Sequence, residues 1–306
     1  MIDQLKTKMQ EYFVGKEAVV DDVLVCLLAG GHILLEDVPG VGKTTLARTL
    51  AGAVSCDFGR IQFTPDTLPG DVVGTSVYNM KTGEFEYHEG AIMHQIILAD
   101  EINRTSPKTQ ASLLEAMEEG QVTIDGQVHK LPKPFMVIAT QNPVEFLGTY
   151  PLPEAQMDRF MMRLSVGYPS EEEELRLARN FVQGKMSEAI SSVCKAEDIL
   201  EAREKVAAVK ITDAVLAYIR EIIEKTRNES RLVLGASPRA FLSLIRASQA
   251  RAFLNGRDYL KPDDVKDVFI NVLHHRLVLT SEARIQKEDI DLILRNLIIT
   301  VKVPTE

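Results

Sequence analysis

The sequence predicts an α/β protein, with a parallel sheet flanked by helices in its first part and an all-helical domain at its C-terminal end. Three observations carry this expectation. Up to Gly167-Tyr168-Pro169, short apolar runs alternate with helical stretches and turn signals, the pattern of βα units. Beyond that point nearly every segment has helical spacing or a helix cap. The 306 residues contain no repeat, low-complexity tract or flexible linker. Their number suits one large domain or two unequal ones, here 1–168 and 169–306.

The expected buried strands are Ile33–Glu36, Arg60–Phe63, Ile96–Ala99, Phe135–Thr140 and Arg163–Val166. Two hairpins interrupt them. Gln121–Leu131 alternates on both sides of Asp125-Gly126, a strong hairpin turn. Ser76–Asn79 and Glu84–His88 flank a second turn ending at Gly83. Protruding hairpins expose strand edges, and on sequence alone a contact surface and a decorative loop are equal readings. Ser170 and Glu173 have capping-box spacing and open a helix to about Val182. Thr212 caps Asp213–Thr226, while Pro238 and Pro262 fit the first turns of further helices.

Composition narrows the classes. A net charge of −9 argues against coating nucleic acid by bulk electrostatics, so no nucleic-acid partner is expected. Cys26, Cys56 and Cys194 are odd in number and far apart, and His274-His275 shows no ligand spacing, which disfavours a disulfide framework or zinc site. The longest nearly apolar stretch, Val23–Gly31, falls far short of the roughly 20 residues that span a bilayer. No signal peptide is visible at Met1-Ile2-Asp3-Gln4. The expectation is a cytoplasmic chain without membrane insertion.

The chemistry concentrates between the first strand and the next helix, in Asp37-Val38-Pro39-Gly40-Val41-Gly42-Lys43-Thr44-Thr45. This follows the phosphate-loop pattern G-x-x-x-x-G-K-[ST], with Asp37 in place of the first glycine. Gly40 and Gly42 let backbone N–H groups close around phosphate oxygens at a helix N-terminus. Lys43 neutralises phosphate charge, and the Thr44 hydroxyl suits Mg²⁺. The strand Ile96–Ala99 ends in Asp100-Glu101. Asp100 suits the Mg²⁺ shell, and Glu101 suits a base that orients and deprotonates water; the pair also suits a helix cap. Asn142, at the tip of Phe135–Thr140, can bridge a phosphate and a water through its amide, or start an Asn142-Pro143 turn. A nucleoside triphosphate with Mg²⁺ is the expected ligand, and the resemblance below makes it ATP.

The order of EDVPGVGKTT, IILADEINR, IATQNP, LPEAQMDRF and GASPRA resembles AAA+ P-loop ATPases, specifically the MoxR branch, over nearly the whole chain. The resemblance implies Walker A, Walker B and a sensor-1 role for Asn142. It also implies a helix-2 insert near Gln62–Met93 and a hairpin before sensor 1 at Gln121–Leu131. It makes 1–168 the nucleotide-binding core and 169–306 the helical lid. It assigns Arg159 as the arginine finger reaching a neighbouring subunit, with Arg163 as a second candidate, and Arg239 as sensor 2. Ser237 and Pro238 put Arg239 at the second position of a helix, where a cation opposes the dipole and an anion would relieve the conflict. The adenine is expected near Tyr12-Phe13-Val14-Gly15.

A homo-oligomeric ring, taken as a hexamer, then follows. The resemblance further implies chaperone-like remodelling or maturation of protein complexes, often with partners bearing a von Willebrand factor A domain. Three rivals stand beside it. A DNA-dependent motor would show salt-sensitive stimulation by DNA. A metal-chelatase ATPase subunit would depend on a tetrapyrrole-binding partner. A module using ATP only as a clamp would release no phosphate.

Overall fold

The computed structural model describes residues 1–13, 15–142, 148–183 and 190–304. Val14 and Pro143 lie outside the described residues. The chain divides into two compact units: Met1–Asp21, His32–Leu152 and Leu164–Leu200 form one, and Asp22–Gly31, Pro153–Arg163 and Glu201–Glu306 the other.

The first unit is organised by a sheet. Strands β1 (Ile33–Glu36), β2 (Phe58–Gln62), β3 (Gly74–Asn79), β4 (Glu84–Glu89), β5 (Ile96–Asp100), β6 (Gln121–Ile124), β7 (Gln127–Lys130), β8 (Met136–Gln141) and β9 (Met162–Leu164) follow in chain order. Five of them form a sheet in the order β2-β5-β8-β1-β9, with parallel β2–β5, β5–β8 and β8–β1 ladders. The inner strands β1, β5 and β8 are buried except at their last residues, Glu36, Asp100 and Gln141. Apolar runs suit a sheet covered on both faces, so polar groups emerge together at its carboxyl edge. From β1 the chain skips past β8 and β5 to the outer strand β2, and this reversal of strand order makes a ligand crevice.

The helices up to this point of the chain are α1 (Ile2–Tyr12), α2 (Glu17–Ala29), α3 (Lys43–Ala53), α4 (Pro69–Val73), α5 (Pro107–Glu119), α6 (Glu154–Met157) and α7 (Glu171–Val182), of which α6 and most of α2 fall to the second unit. At α7 the capping box closes in both directions: Glu173 N–H donates to Ser170 Oγ (3.4 Å) and Ser170 N–H to the Glu173 carboxylate (2.7 Å).

The strands fall within two residues of their expected bounds, with one instructive difference. β9 stops at Leu164 instead of Val166. The N–H groups of Val166 and Gly167 donate to the Asp37 carboxylate, so they are lost to the ladder. Both hairpins form. Asp125 and Gly126 have φ of 49° and 79°, the left-handed pair that a two-residue hairpin turn needs. In the other, Tyr78 faces Phe85 across the ladder, ring edge to face at 5.3 Å. Both are exposed, as is Met80 at the turn (90%). Tyr87 of β4 stacks on His129 of β7 at 3.8 Å and donates to Val73 O (2.8 Å).

The second unit is helical, with α8 (Ala196–Ala207) passing into it, then α9 (Asp213–Arg227), α10 (Pro238–Leu254), α11 (Pro262–Leu273), α12 (Ser281–Ile285) and α13 (Ile290–Ile299). Thr212 caps α9 through Val215 N–H (3.3 Å), and Ser237 caps α10 through Ala240 N–H (3.0 Å). Ile219 and Ile222 of α9, Leu244 of α10 and Val265, Val268 and Phe269 of α11 are buried. Among them lies an ion pair: Arg251 donates to Asp22, which also accepts Asn271 Nδ2 at 2.7 Å. Removing one partner of a buried pair strands the other charge. Asp22→Ala is therefore expected to cost about 3–5 kcal/mol, read as a lower denaturant midpoint.

Candidate functional site

The loop after β1 opens with its side chain turned away from solvent. The Asp37 carboxylate accepts Ser165 Oγ (2.8 Å), Val166 N–H and Gly167 N–H (3.0 Å). Its carbonyl accepts Lys43 Nζ at 2.9 Å. Gly40 and Gly42 have φ of 88° and 90°, a conformation that costs glycine little. A Cβ at Gly40 would meet nothing within 4 Å, so the backbone faces open space. α3 begins at Lys43 with Gly42 as its cap and no acidic residue in its first turn. Its first N–H groups and dipole thus make an anion site. Burial pushes the Lys43 ammonium below its usual pKa, against the pull of Asp37, Asp100 and Glu101. A bound phosphate would pull it back up by favouring the charged form.

Opposite the loop lies the carboxyl edge of β5 and β8. Thr140 Oγ1 donates to Asp100 Oδ1 (2.7 Å) and accepts Glu101 N–H (2.9 Å). Arg60 holds Asp100 Oδ2 at 2.6 Å and also donates to Gln62 Oε1 at 2.7 Å. Glu101 Oε2 accepts Gln62 Nε2 (3.0 Å) and Arg104 (3.1 Å). Glu101 is left-handed at φ 58°, rare for a residue with a side chain. It takes the cap position of a short 3-10 turn, Ile102–Arg104, without a side-chain cap hydrogen bond. Asn142 follows β8, and its carbonyl accepts Asn103 Nδ2 at 3.5 Å.

These groups share one cavity of about 340 Å³, lined by Pro39, Gly40, Gly42, Lys43, Thr44, Arg60, Asp100, Glu101 and Asn142. A more apolar cavity of about 410 Å³ shares Gly40 and Gly42 with it, and is walled by Tyr12, Phe13, Val41, Thr45, Val166, Leu177 and Phe181 among others. A polar hollow meets an apolar one at a glycine loop, which is the shape of a nucleoside phosphate.

Not every expected residue lines these cavities. Asp37 and Val38 line neither cavity; Asp37 acts through its anchor to residues 165–167. Gly15 faces Glu173, whose carboxyl carbon lies 2.1 Å from where a Gly15 Cβ would sit. Arg159 and Arg239 belong to the second unit, Arg239 at the second position of α10 as expected. Asp158, next to Arg159 in the chain, is engaged by Arg276 and Ser237, both at 2.9 Å. Arg163 is drawn into β9. The sequence reading passed over Thr140, Arg60, Gln62 and Arg104. Arg60 and Gln62 share one face of β2, and Gln62 pairs in register with Asp100, a neighbour only topology supplies.

The donors fit Mg²⁺. The Thr44 hydroxyl and Asp100 carboxylate are hard oxygens on one cavity wall, and Asp100 Oδ2 already faces a cation, the part-exposed Arg60. Among the described residues, no group of three His, Cys, Asp or Glu side chains offers another metal site.

The profile of the ATPase family associated with various cellular activities (AAA) matches residues 32–162, and that of the AAA lid domain matches 224–297. The protein YeaC of Bacillus subtilis is 51% identical over 96% of this chain and 92% of its own length. The chaperone MoxR1 of Mycobacterium tuberculosis is 40% identical over 97% of this chain and 81% of its own. The chain belongs to the MoxR family of AAA+ ATPases. A solved structure from Cytophaga hutchinsonii agrees with this assignment, superposing with a TM-score of 0.92 at 40% identity over 99% of this chain and 95% of that one. Like other members of its family, the chain binds nucleotide and is an ATPase with a parallel-sheet core and a helical lid. No helix among its described residues is long and apolar enough to cross a membrane.

Asp37→Ala is expected to leave the buried Val166 N–H unpaired, costing about 1–3 kcal/mol, and to free the half-buried Gly167 N–H as well. The outcome is a lower Tm together with weaker binding of a fluorescent nucleotide, because the loop loses its anchor.

Proposed function

We propose that the chain hydrolyses ATP in a cytoplasmic homo-hexameric ring and uses the turnover to remodel or mature partner protein complexes. The observation that carries the catalytic part is the convergence of Lys43, Thr44, Asp100, Glu101 and Asn142 on one cavity. In this reading Gly40, Val41, Gly42, Lys43, Thr44 and Thr45 wrap the phosphates, and the base enters the apolar cavity beside Tyr12 and Phe13. Mg²⁺ held by Thr44 and Asp100 would neutralise phosphate charge. Glu101, steadied by Gln62 and Arg104, accepts the proton of the attacking water, and Asn142 orients that water. Residues 1–168 act as the nucleotide-binding core and 169–306 as the lid.

Arg159 supplies a guanidinium to the neighbouring subunit's phosphates, where charge shifts among oxygens in the transition state. Arg239, at a helix N-terminus, reads the nucleotide from the lid. The exposed Tyr78, Met80 and Phe85 favour the hairpin as a contact surface over a decorative loop. A partner with a von Willebrand factor A domain is the family's suggestion for what it meets.

Glu101→Gln is expected to bind ATP normally and lose about 10²–10⁴ in turnover, measured by phosphate release; unchanged release removes Glu101 from this role. Arg159→Ala is expected to bind nucleotide yet lose about 10³–10⁵ in kcat. Mixing it with Lys43→Ala subunits restores activity, because each supplies what the other lacks. No recovery under conditions of subunit exchange would argue against shared sites.

A further inference from the structure

Arg276 is an arginine that the nucleotide chemistry does not use. Its side chain is only 2% exposed, and a buried guanidinium is costly unless its surroundings are arranged for it. One of its nitrogens donates to Asp158 O (3.1 Å), Phe160 O (2.8 Å) and Ser243 Oγ (3.2 Å). Its Nε lies 2.9 Å from Asp158 Oδ1, an ion pair whose N–H is not aimed at the oxygen. Burial pulls its pKa down to about 10, partly opposed by Asp158, so the charge persists at neutral pH.

The two carbonyls it holds flank Arg159. Phe160 is pinned further: its ring is fully buried and its carbonyl also accepts His275 Nε2–H at 2.9 Å. Burial holds the His275 imidazole well below its usual pKa. Asp158 is pinned through its other oxygen, which accepts Ser237 Oγ at 2.9 Å. Ser237 is the cap of α10, and Arg239 stands two residues on. One guanidinium therefore grips the peptides on both sides of Arg159 and, through Asp158, the turn that bears Arg239.

We propose that Arg276 is a positioning residue for catalysis: with Asp158 it fixes Arg159 and Arg239 in one frame, so that the two arginines are presented together. This rests on the reading of Arg159 as the arginine finger. It follows that motion of the lid helix α10 is transmitted to the residue offered to the next subunit. Displacement of a catalytic group by about an ångström can cost about 10²-fold, so a loosened frame is felt far more in the chemical step than in nucleotide binding, where Arg239 adds one contact to those of the phosphate loop.

The test uses the full-length chain with Asp158→Asn, Arg276→Lys, Arg276→Gln and Arg159→Ala. Asp158→Asn keeps shape and removes the charge, so it serves even where Arg276→Gln fails to fold. The expected result for Asp158→Asn and Arg276→Gln is a kcat about tenfold or more below wild type with KM within about twofold, and Arg276→Lys recovers part of it. Asp158→Asn adds nothing to Arg159→Ala in the double variant, and mixing Asp158→Asn with Lys43→Ala subunits restores turnover. Wild-type kcat in Asp158→Asn and Arg276→Gln, beside a crippled Arg159→Ala, overturns the positioning role and leaves the finger intact. Full activity in Arg159→Ala overturns both. A lowered Tm with no recovery on mixing also overturns the proposal, because the residues then act through stability alone.

Discussion

The site hangs on one carboxylate. Asp37 occupies the position where the common phosphate-loop pattern has glycine, and it gathers three donors from residues 165–167. Buried N–H groups are almost always paired, so the Val166 N–H needs an acceptor once it leaves the sheet. The same residue presents its carbonyl to Lys43. The loop is thus suspended between two fixed ends, the Asp37 anchor and the first turn of α3. Only its glycines need unusual backbone angles.

The carboxylate pair has a related constraint. Neighbouring residues of a strand point to opposite faces, yet Asp100 and Glu101 line one cavity. The left-handed turn at Glu101 resolves this by ending the strand and redirecting the chain. Such a conformation costs about 1–3 kcal/mol. Here it is sustained by Thr140, which bonds the Asp100 carboxylate on one side and the Glu101 N–H on the other. A single hydroxyl holds the two acids in their relative places.

Much of this was legible beforehand. Period, turn residues and caps located the five strands, both hairpins and the starts of α7, α9, α10 and α11, because those signals are local. The phosphate loop and Asp100-Glu101 were legible because their chemistry demands particular residues at fixed spacing. What escaped was non-local. Thr140 reads as one more β-former in an apolar strand until β8 is known to lie beside β5. Arg60 and Gln62 look like the polar face of an edge strand until the register sets Gln62 against Asp100. The shortened β9 was hidden for the same reason: its competitor is a carboxylate roughly 130 residues earlier. Arg276 carries no local signal, and only its burial beside Asp158 and Phe160 sets it apart.

The stacked rings of Tyr87 and His129 join two excursions of the chain that are separate in sequence. Each hairpin alone is a two-stranded ribbon, marginal in water. Face-to-face contact between them, with the Tyr87 hydroxyl anchored on Val73, makes the pair a small strut. The ribbon that ends at Met80 is thereby steadied by the second one as well as by its own ladder.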